Sequence, residues 1–542
     1  MPIMPRKPVS LPTPGYAHFK AMTEARLSQL TEPGDREACA QAFYDRFPLD
    51  PLSNYLLARA MARNDRQIEA IKFSRTAVHN SDYEPQYVAL LIEMYTRHAF
   101  HEQIAPYIQS VAARGKTSAE LETLLGKYYS DIGKLEKAIE HYRKALSMAK
   151  TPEAQNHIKS LLADYLRFAS RNKEAHDIFL ELSKEPLHRI KALVQLAEIA
   201  KGSEAEQIET HLTAELEGNS KLAPEDKEIL HLALGNFHEK RKEYDAAFED
   251  WKISRSYVAQ KYDFGQQASL IKNMQAFYNG KLFERTQPYA NASEKLIFVI
   301  GMARSGTTLV AQILGSHGDA TSAGELARLV NEANAFLDQY YVPRGLKQFL
   351  TEAEKGELAD RTNDFLKLAE LMAERPAKRI VDKTPQQFLT AGYIHMCFPK
   401  TKFINLVRHP ADVFISTYQN NFSSGYNYAF AQDSFAHYFL QREIIMKHWK
   451  SLFPELILNV KYEDLTRDPE PQVRRMLDFL GLDWDPACMK FFERPSMVQT
   501  FSRDQVRSAI NTKSVARWKN YEKHLGPLFA ALEAGGYSYP ET

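Results

Sequence analysis

The 542-residue sequence predicts an α-solenoid followed by an α/β domain with a central parallel sheet. Three observations carry this. Small residues recur in a fixed helical register through the first half. From Glu294 onward, short β-rich runs alternate with helical stretches. The first of these runs, LIFVIG at 296–301, feeds a glycine-bracketed loop that opens a helix.

The register is visible in Ala58, Ile92 and Gly126, which fall 34 residues apart. The clearest unit is LLGKYYSDIGKLEKAIEHYRKALSMAKTP, where Gly126, Tyr129, Ala138, Tyr142 and Ala145 occupy offsets 0, 3, 12, 16 and 19. This small–aromatic–small–aromatic–small spacing resembles the tetratricopeptide repeat, a pair of antiparallel helices. The small residues let the helices approach, and the aromatics fill the gap between pairs. Ala58, Ala70 and Ala77 keep offsets 0, 12 and 19, while Ala163, Ala175 and Phe179, like Gly235, Ala247 and Trp251, keep 0, 12 and 16. Residues 81–115 and 190–220 read as degenerate units. Five or six repeats are expected over 35–260, after an N-terminal extension at 1–34. A closing helix and linker at 261–293 lead to an α/β domain at 294–542. A non-repetitive helical bundle is the plainer alternative.

A net charge of +1, with 44% hydrophobic and 25% charged residues, describes an ordinary globular chain. It predicts no nucleic-acid coat and no polybasic membrane footprint. Cys39, Cys397 and Cys488 are too far apart for a disulfide framework or a metal motif. They read as buried small apolar residues in a reducing, cytoplasmic compartment. The Pro-rich start lacks the apolar core of a signal peptide, and no run approaches the roughly 18 apolar residues of a membrane span.

The loop after the first run reads G-M-A-R-S-G-T-T, with Gly301 and Gly306 bracketing it and Arg304, Ser305, Thr307 and Thr308 within or just after. Backbone N–H groups and a helix N-terminus converge there, a geometry suited to phosphate or sulfate. A nucleotide triphosphatase loop would carry Lys where Thr307 stands. The loop is therefore built for an anion but not for a triphosphate, which disfavours a kinase. Further strands are expected at 379–382, 402–407 and 456–462. They end in Asp382-Lys383-Thr384-Pro385, in Val407-Arg408-His409-Pro410 with Ser416 on the following helix, and in Lys461-Tyr462-Glu463-Asp464-Leu465. The last element holds Ser514-Val515-Ala516-Arg517-Trp518-Lys519. In a parallel sheet all of these gather at the carboxyl ends of the strands.

Taken in that order, the RSGTT loop, a following GE, K-T-P, an Arg and Ser eight residues apart, YEDL and a final small-x-Trp resemble the sulfotransferase family. Among its branches the resemblance is greatest to the tyrosylprotein sulfotransferases, and it covers roughly 294–535. Repeats fused ahead of such a domain look like a bacterial arrangement. The resemblance implies a metal-free transfer from 3′-phosphoadenosine-5′-phosphosulfate to an acceptor hydroxyl, with protein tyrosine favoured and a glycan, lipid or small phenol open. A repeat scaffold with a non-catalytic nucleotide-binding domain is the alternative of another class.

By the same resemblance Arg304, Ser305, Gly306, Thr307 and Thr308 hold the 5′-phosphosulfate, and Arg408 and Ser416 hold the 3′-phosphate. Tyr462, Ser514 and Trp518 line the nucleotide, and Arg517 and Lys519 reach the 3′-phosphate, with solvated surface charge as their plainer reading. Glu325 is the general base, a carboxylate desolvated in a cleft. Lys383, with Arg304, neutralises charge on the leaving oxygen. Asn420 stands where the branch carries a further Arg, and Leu326 where it carries a second acid. Ala516 stands where a serine is expected, so Ser514 or a backbone amide takes that part. Singly, these residues admit plainer readings: a surface ion pair for Arg408, a helix-surface hydroxyl for Ser416, a first-turn Glu for Glu325, a solvated Lys for Lys383, and a packed ring for Tyr462. The repeats are expected to recruit a protein or peptide acceptor, or to mediate homo-oligomerisation. Deleting 1–280 is expected to spare nucleotide binding.

Overall fold

The computed structural model describes residues 16–64, 66–97, 100–218, 221–258, 262–326, 328–340, 352–422, 425–493 and 508–537. The chain forms two compact units, Met1–Ser170 and Arg171–Thr542, a division that falls inside the stretch expected to be repeats.

The first unit is helical. Several of its helices open on proline, at Pro33–Arg46, Pro51–Arg63 and Pro152–Phe168, where the missing N–H costs nothing. Asp50 and Thr151 cap two of them by accepting from the Ser53 and Ala154 amides. In the hairpin Ala119–Asp131/Leu135–Met148, a Cβ on Gly126 would sit 2.8 Å from the Tyr142 ring. That is the close approach the small–aromatic spacing asks for. Ala58, Ala70, Ala138 and Ala163 are fully buried in the same manner.

The second unit repeats this geometry in the hairpin Pro224–Lys240/Tyr244–Ser256, where a Cβ on Gly235 would meet the Trp251 ring at 2.5 Å. Helices Phe264–Phe277 and Gly280–Thr286 lead into the sheet. Its strands are β1 (Leu296–Ile300), β2 (Ala320–Gly324), β3 (Arg379–Asp382), β4 (Lys402–Val407) and β5 (Ile457–Lys461). All pairings are parallel, in the order β2-β3-β1-β4-β5. Both faces are covered, and β1 shows it residue by residue. Leu296, Phe298 and Ile300 enter one core, while Ile297 and Val299 enter the other. The first core also takes Leu232, Phe248 and Trp251 from the helical hairpin, so hairpin and sheet share one apolar interior. Cys397 and Cys488 lie in the two cores as small apolar residues, whereas Cys39 is only partly buried. Among the described residues no helix is long and apolar enough to cross a membrane.

The four expected runs form β1, β3, β4 and β5. Strand β2 is an addition to the sequence reading. Its residues, ATSAG, have little β-propensity, and packing selects them instead. Gly315, closing helix Thr307–Gly315, would bring a Cβ within 3.3 Å of Ser322. Larger side chains would push that helix off the sheet. The connection from β3 to β4 crosses over β1, so a crevice opens at the carboxyl ends of these three strands.

Candidate active site at the carboxyl ends of the strands

The loop after β1 is tightly wound. Arg304 and Gly306 both have left-handed backbones, with φ of +66° and +105°. Ser305 Oγ donates to the Met302 carbonyl at 2.7 Å, closing the turn. A Cβ on Gly306 would lie 2.5 Å from the Tyr462 ring, so this position requires glycine both for φ and for space. Helix Thr307–Gly315 starts immediately after, with Thr307 and Thr308 buried.

Three arginines converge on this loop. Arg304 Nε donates to Ser416 Oγ at 2.9 Å. Arg408 donates through Nη1 to the Arg304 carbonyl at 2.7 Å and through Nη2 to the Ser514 carbonyl. Its guanidinium lies 4.5 Å from the Tyr462 ring centroid. Burial first, then repulsion from Arg408 and Arg517, pushes Arg304 down to about 10. Arg408 is likewise held below its ordinary value, chiefly by burial, with Arg517 adding repulsion. The buried Arg408 Nε has no hydrogen-bond partner. Crowded, desolvated cations with an orphaned donor make a site that a multiply charged anion would relieve.

The C-terminal segment is pinned over this cluster by one carboxylate. Asp412, buried in the first turn of helix Pro410–Tyr418, accepts from the Ala516 amide at 2.8 Å and the Trp518 amide at 2.9 Å. Trp518 stacks on His409, the ring centroids 5.1 Å apart and the planes nearly parallel. The Ala516 and Trp518 amides are thus already engaged by Asp412. Arg517 is held by Glu239 and Gln419.

At the ends of β2 and β3 a second group assembles. Lys383, with a buried side chain, pairs with Glu325, whose side chain is 42% exposed. The Lys383 amide donates to the Gly324 carbonyl at 2.8 Å, and the Gln386 amide to the Gly301 carbonyl at 3.2 Å. One short turn therefore ties the Glu325 and Lys383 group to the mouth of the loop after β1. The expected desolvated carboxylate is not Glu325 but its neighbour Asp382. Asp382 is fully buried and accepts from the Leu326 amide, Thr384 Oγ1 and Gln387 Nε2. Burial pushes its carboxyl up to about 7 despite these bonds.

A carboxyl raised from 3.8 to about 7 in the folded state binds a proton that the unfolded chain has released. Stability contributed by this group is therefore greatest below pH 4 and declines as pH rises toward 7, by up to about 1.4 kcal/mol per pH unit. Asp382→Asn should flatten that decline. Gln387 Oε1 has no hydrogen-bond partner, so a flip of the Gln387 amide would accept from the new Asn. Urea midpoints at pH 4.5 and 7 should differ less in the variant than in the wild type.

The site residues singled out in the sequence lie at this edge of the sheet or on the segment folded over it. Ser305, Gly306, Thr307 and Thr308 form the loop and helix start, with Tyr462 against them. Arg304 meets Ser416 through Nε and stands beside Arg408 and Arg517. Ser514 contributes its carbonyl to Arg408. Trp518 is a stacking wall. The sequence reading missed Asp412, Asp382, Glu239 and Arg255. Asp412 had a local signal, an acid in the first turn after Pro410.

The family model described as "Sulfotransferase family" matches residues 297–486, the span from β1 past β5. An uncharacterized protein of Aquifex aeolicus (strain VF5) is 34% identical over 319 residues, covering 57% of this chain. The chain spans only 41% of that relative's length. A putative protein-tyrosine sulfotransferase of Caenorhabditis briggsae is 30% identical over 252 residues, covering 42% of this chain and 81% of its own. Among solved structures, the sulfotransferase domain of the Synechococcus PCC 7002 olefin synthase aligns at 20% identity and a TM-score of 0.33, over 46% of this chain and 98% of its own. Through its C-terminal region, this chain belongs to the sulfotransferase family.

Proposed function

We propose that the protein moves a sulfuryl group from 3′-phosphoadenosine-5′-phosphosulfate to the hydroxyl of a protein tyrosine. The observation that carries this reading is the pairing of two groups at one sheet edge: an arginine cluster suited to a polyanion, and a buried lysine in contact with a solvent-facing carboxylate. The loop amides from Arg304 to Thr308 would bind the 5′ end, and Arg408, with Ser416 and Arg304 beside it, the 3′-phosphate. Glu325 takes the acceptor's proton as its oxygen attacks sulfur. A new O–S bond forms, the S–O bond to the 5′-phosphate breaks, and adenosine 3′,5′-bisphosphate leaves with the bonding pair. Lys383 offsets the negative charge arriving on that oxygen.

An aromatic acceptor is favoured by a stacked ring pair that includes Tyr426. Phe422 and Tyr426 stack at 4.6 Å, and the Tyr426 hydroxyl lies within the electrostatic reach of Glu325. The helical repeats would recruit the acceptor protein. Incubation with sulfate-labelled donor and a tyrosine peptide tests the reading. Label should pass to the peptide, not to its Phe counterpart, and EDTA should not stop it. Transfer to a glycan, lipid or small phenol alone would replace the acceptor, and binding without any transfer would leave a nucleotide-binding scaffold.

A further inference from the structure

The helical hairpin Pro224–Lys240/Tyr244–Ser256 reaches the donor site through two side chains. Arg255 has a side chain only 3% exposed and donates its whole fork. Nε and Nη2 go to the Tyr418 carbonyl at 3.2 and 2.6 Å, Nη2 also to the Asn420 carbonyl at 2.7 Å, and Nη1 to Glu228 at 3.0 Å. Its guanidinium sits 4.8 Å from the Phe430 ring centroid. Tyr418 and Asn420 close helix Pro410–Tyr418, whose last carbonyls have no helical partners and attract a cation. That helix carries Ser416. Asn420 Nδ2 returns to the Ser416 carbonyl at 2.7 Å, and Gln419, between the two anchored carbonyls, accepts from Arg517. The second side chain is Glu239, which holds Arg517 from the other side and accepts from Tyr521 at 3.1 Å.

We infer that Arg255 is a positioning residue for the 3′-phosphate of the donor: by fixing the backbone at 418–420 it sets where Ser416 and Arg517 stand, so the helical hairpin forms part of the donor site's frame. This rests on the donor reading above. The 5′ end is framed by other groups, namely the Met302 carbonyl, Tyr462 and the 383–386 turn. The effect of losing Arg255 therefore falls on one end of the nucleotide. It also reverses the expectation that a chain lacking residues 1–280 keeps full nucleotide binding, because such a chain lacks both Arg255 and Glu239.

The test compares the full chain with Arg255→Met and Arg255→Lys. Calorimetry gives Kd for adenosine 3′,5′-bisphosphate and for adenosine 5′-monophosphate, and thermal melting is followed in parallel. The wild type should prefer the bisphosphate strongly. Arg255→Met should reduce that preference about tenfold, with the monophosphate Kd little changed. Arg255→Lys, which keeps the charge but not the planar fork, should reduce it about threefold, and it carries the test should the Met variant not fold. A lower Tm with an unchanged preference overturns the positioning role and leaves Arg255 a purely structural residue. A wild type that binds both nucleotides alike overturns the donor reading and this inference together.

Discussion

Glu325→Gln should lower kcat by roughly 10²- to 10⁴-fold and leave donor-nucleotide affinity within about threefold, the range expected when a general base is removed. Gln has the same length and can still accept from Lys383, so the variant removes basicity and little else. The side chain is 42% exposed, so substitution leaves no buried group without a partner except Lys383, whose bond the amide oxygen retains. Stability should then change by less than about 0.5 kcal/mol. Single-turnover transfer of labelled sulfate, alongside calorimetry with adenosine 3′,5′-bisphosphate, separates the two effects. A variant that turns over at the wild-type rate would remove Glu325 as the base. A variant that loses nucleotide affinity in step with rate would make the Glu325–Lys383 pair a binding element.

The parts of this site that were legible in the sequence are those fixed by local chemistry. An apolar run followed by glycine, a basic residue and two threonines reads as a strand, a tight loop and a helix start, and β1, the left-handed Gly306 and helix Thr307–Gly315 bear that backbone out. Strand β2 was not legible, because its small residues answer to the helix lying on them. Glu325 was found, but its environment was not. The sequence reads Glu325 as a helix-start or cleft carboxylate and Asp382 as the end of a strand, and only the pairing of β2 with β3 sets them side by side, with Asp382 buried and Glu325 exposed. Least legible were contacts spanning the unit, such as Arg255 with the Tyr418 carbonyl and Arg517 with Glu239, 163 and 278 residues apart. No periodicity or motif encodes a side chain that reaches across from a different helical hairpin. Ser416 was legible as a spacing from Arg408, yet its bond to Arg304 joins residues that the sequence assigned to opposite ends of the donor.

That merging of the two ends makes Arg408 the most informative substitution for binding. Arg408→Gln should weaken adenosine 3′,5′-bisphosphate by roughly 10²-fold or more, since a buried charge-assisted contact to phosphate is worth about 1.5–3 kcal/mol per bond. Adenosine 5′-monophosphate should weaken much less, by about three- to tenfold, through the loosened loop. Stability supplies the internal control. Burial and like-charge repulsion depress both Arg304 and Arg408, so removing one cation relieves the other. Tm should therefore hold or rise even as affinity falls, a combination that partial unfolding cannot produce. The salt dependence of binding should also become shallower, because one fewer cation screens the ligand. An equal loss for both nucleotides would point elsewhere. It would make Arg408 a clamp between the Arg304 and Ser514 carbonyls, with the 3′-phosphate left to Arg304, Ser416 and Arg517.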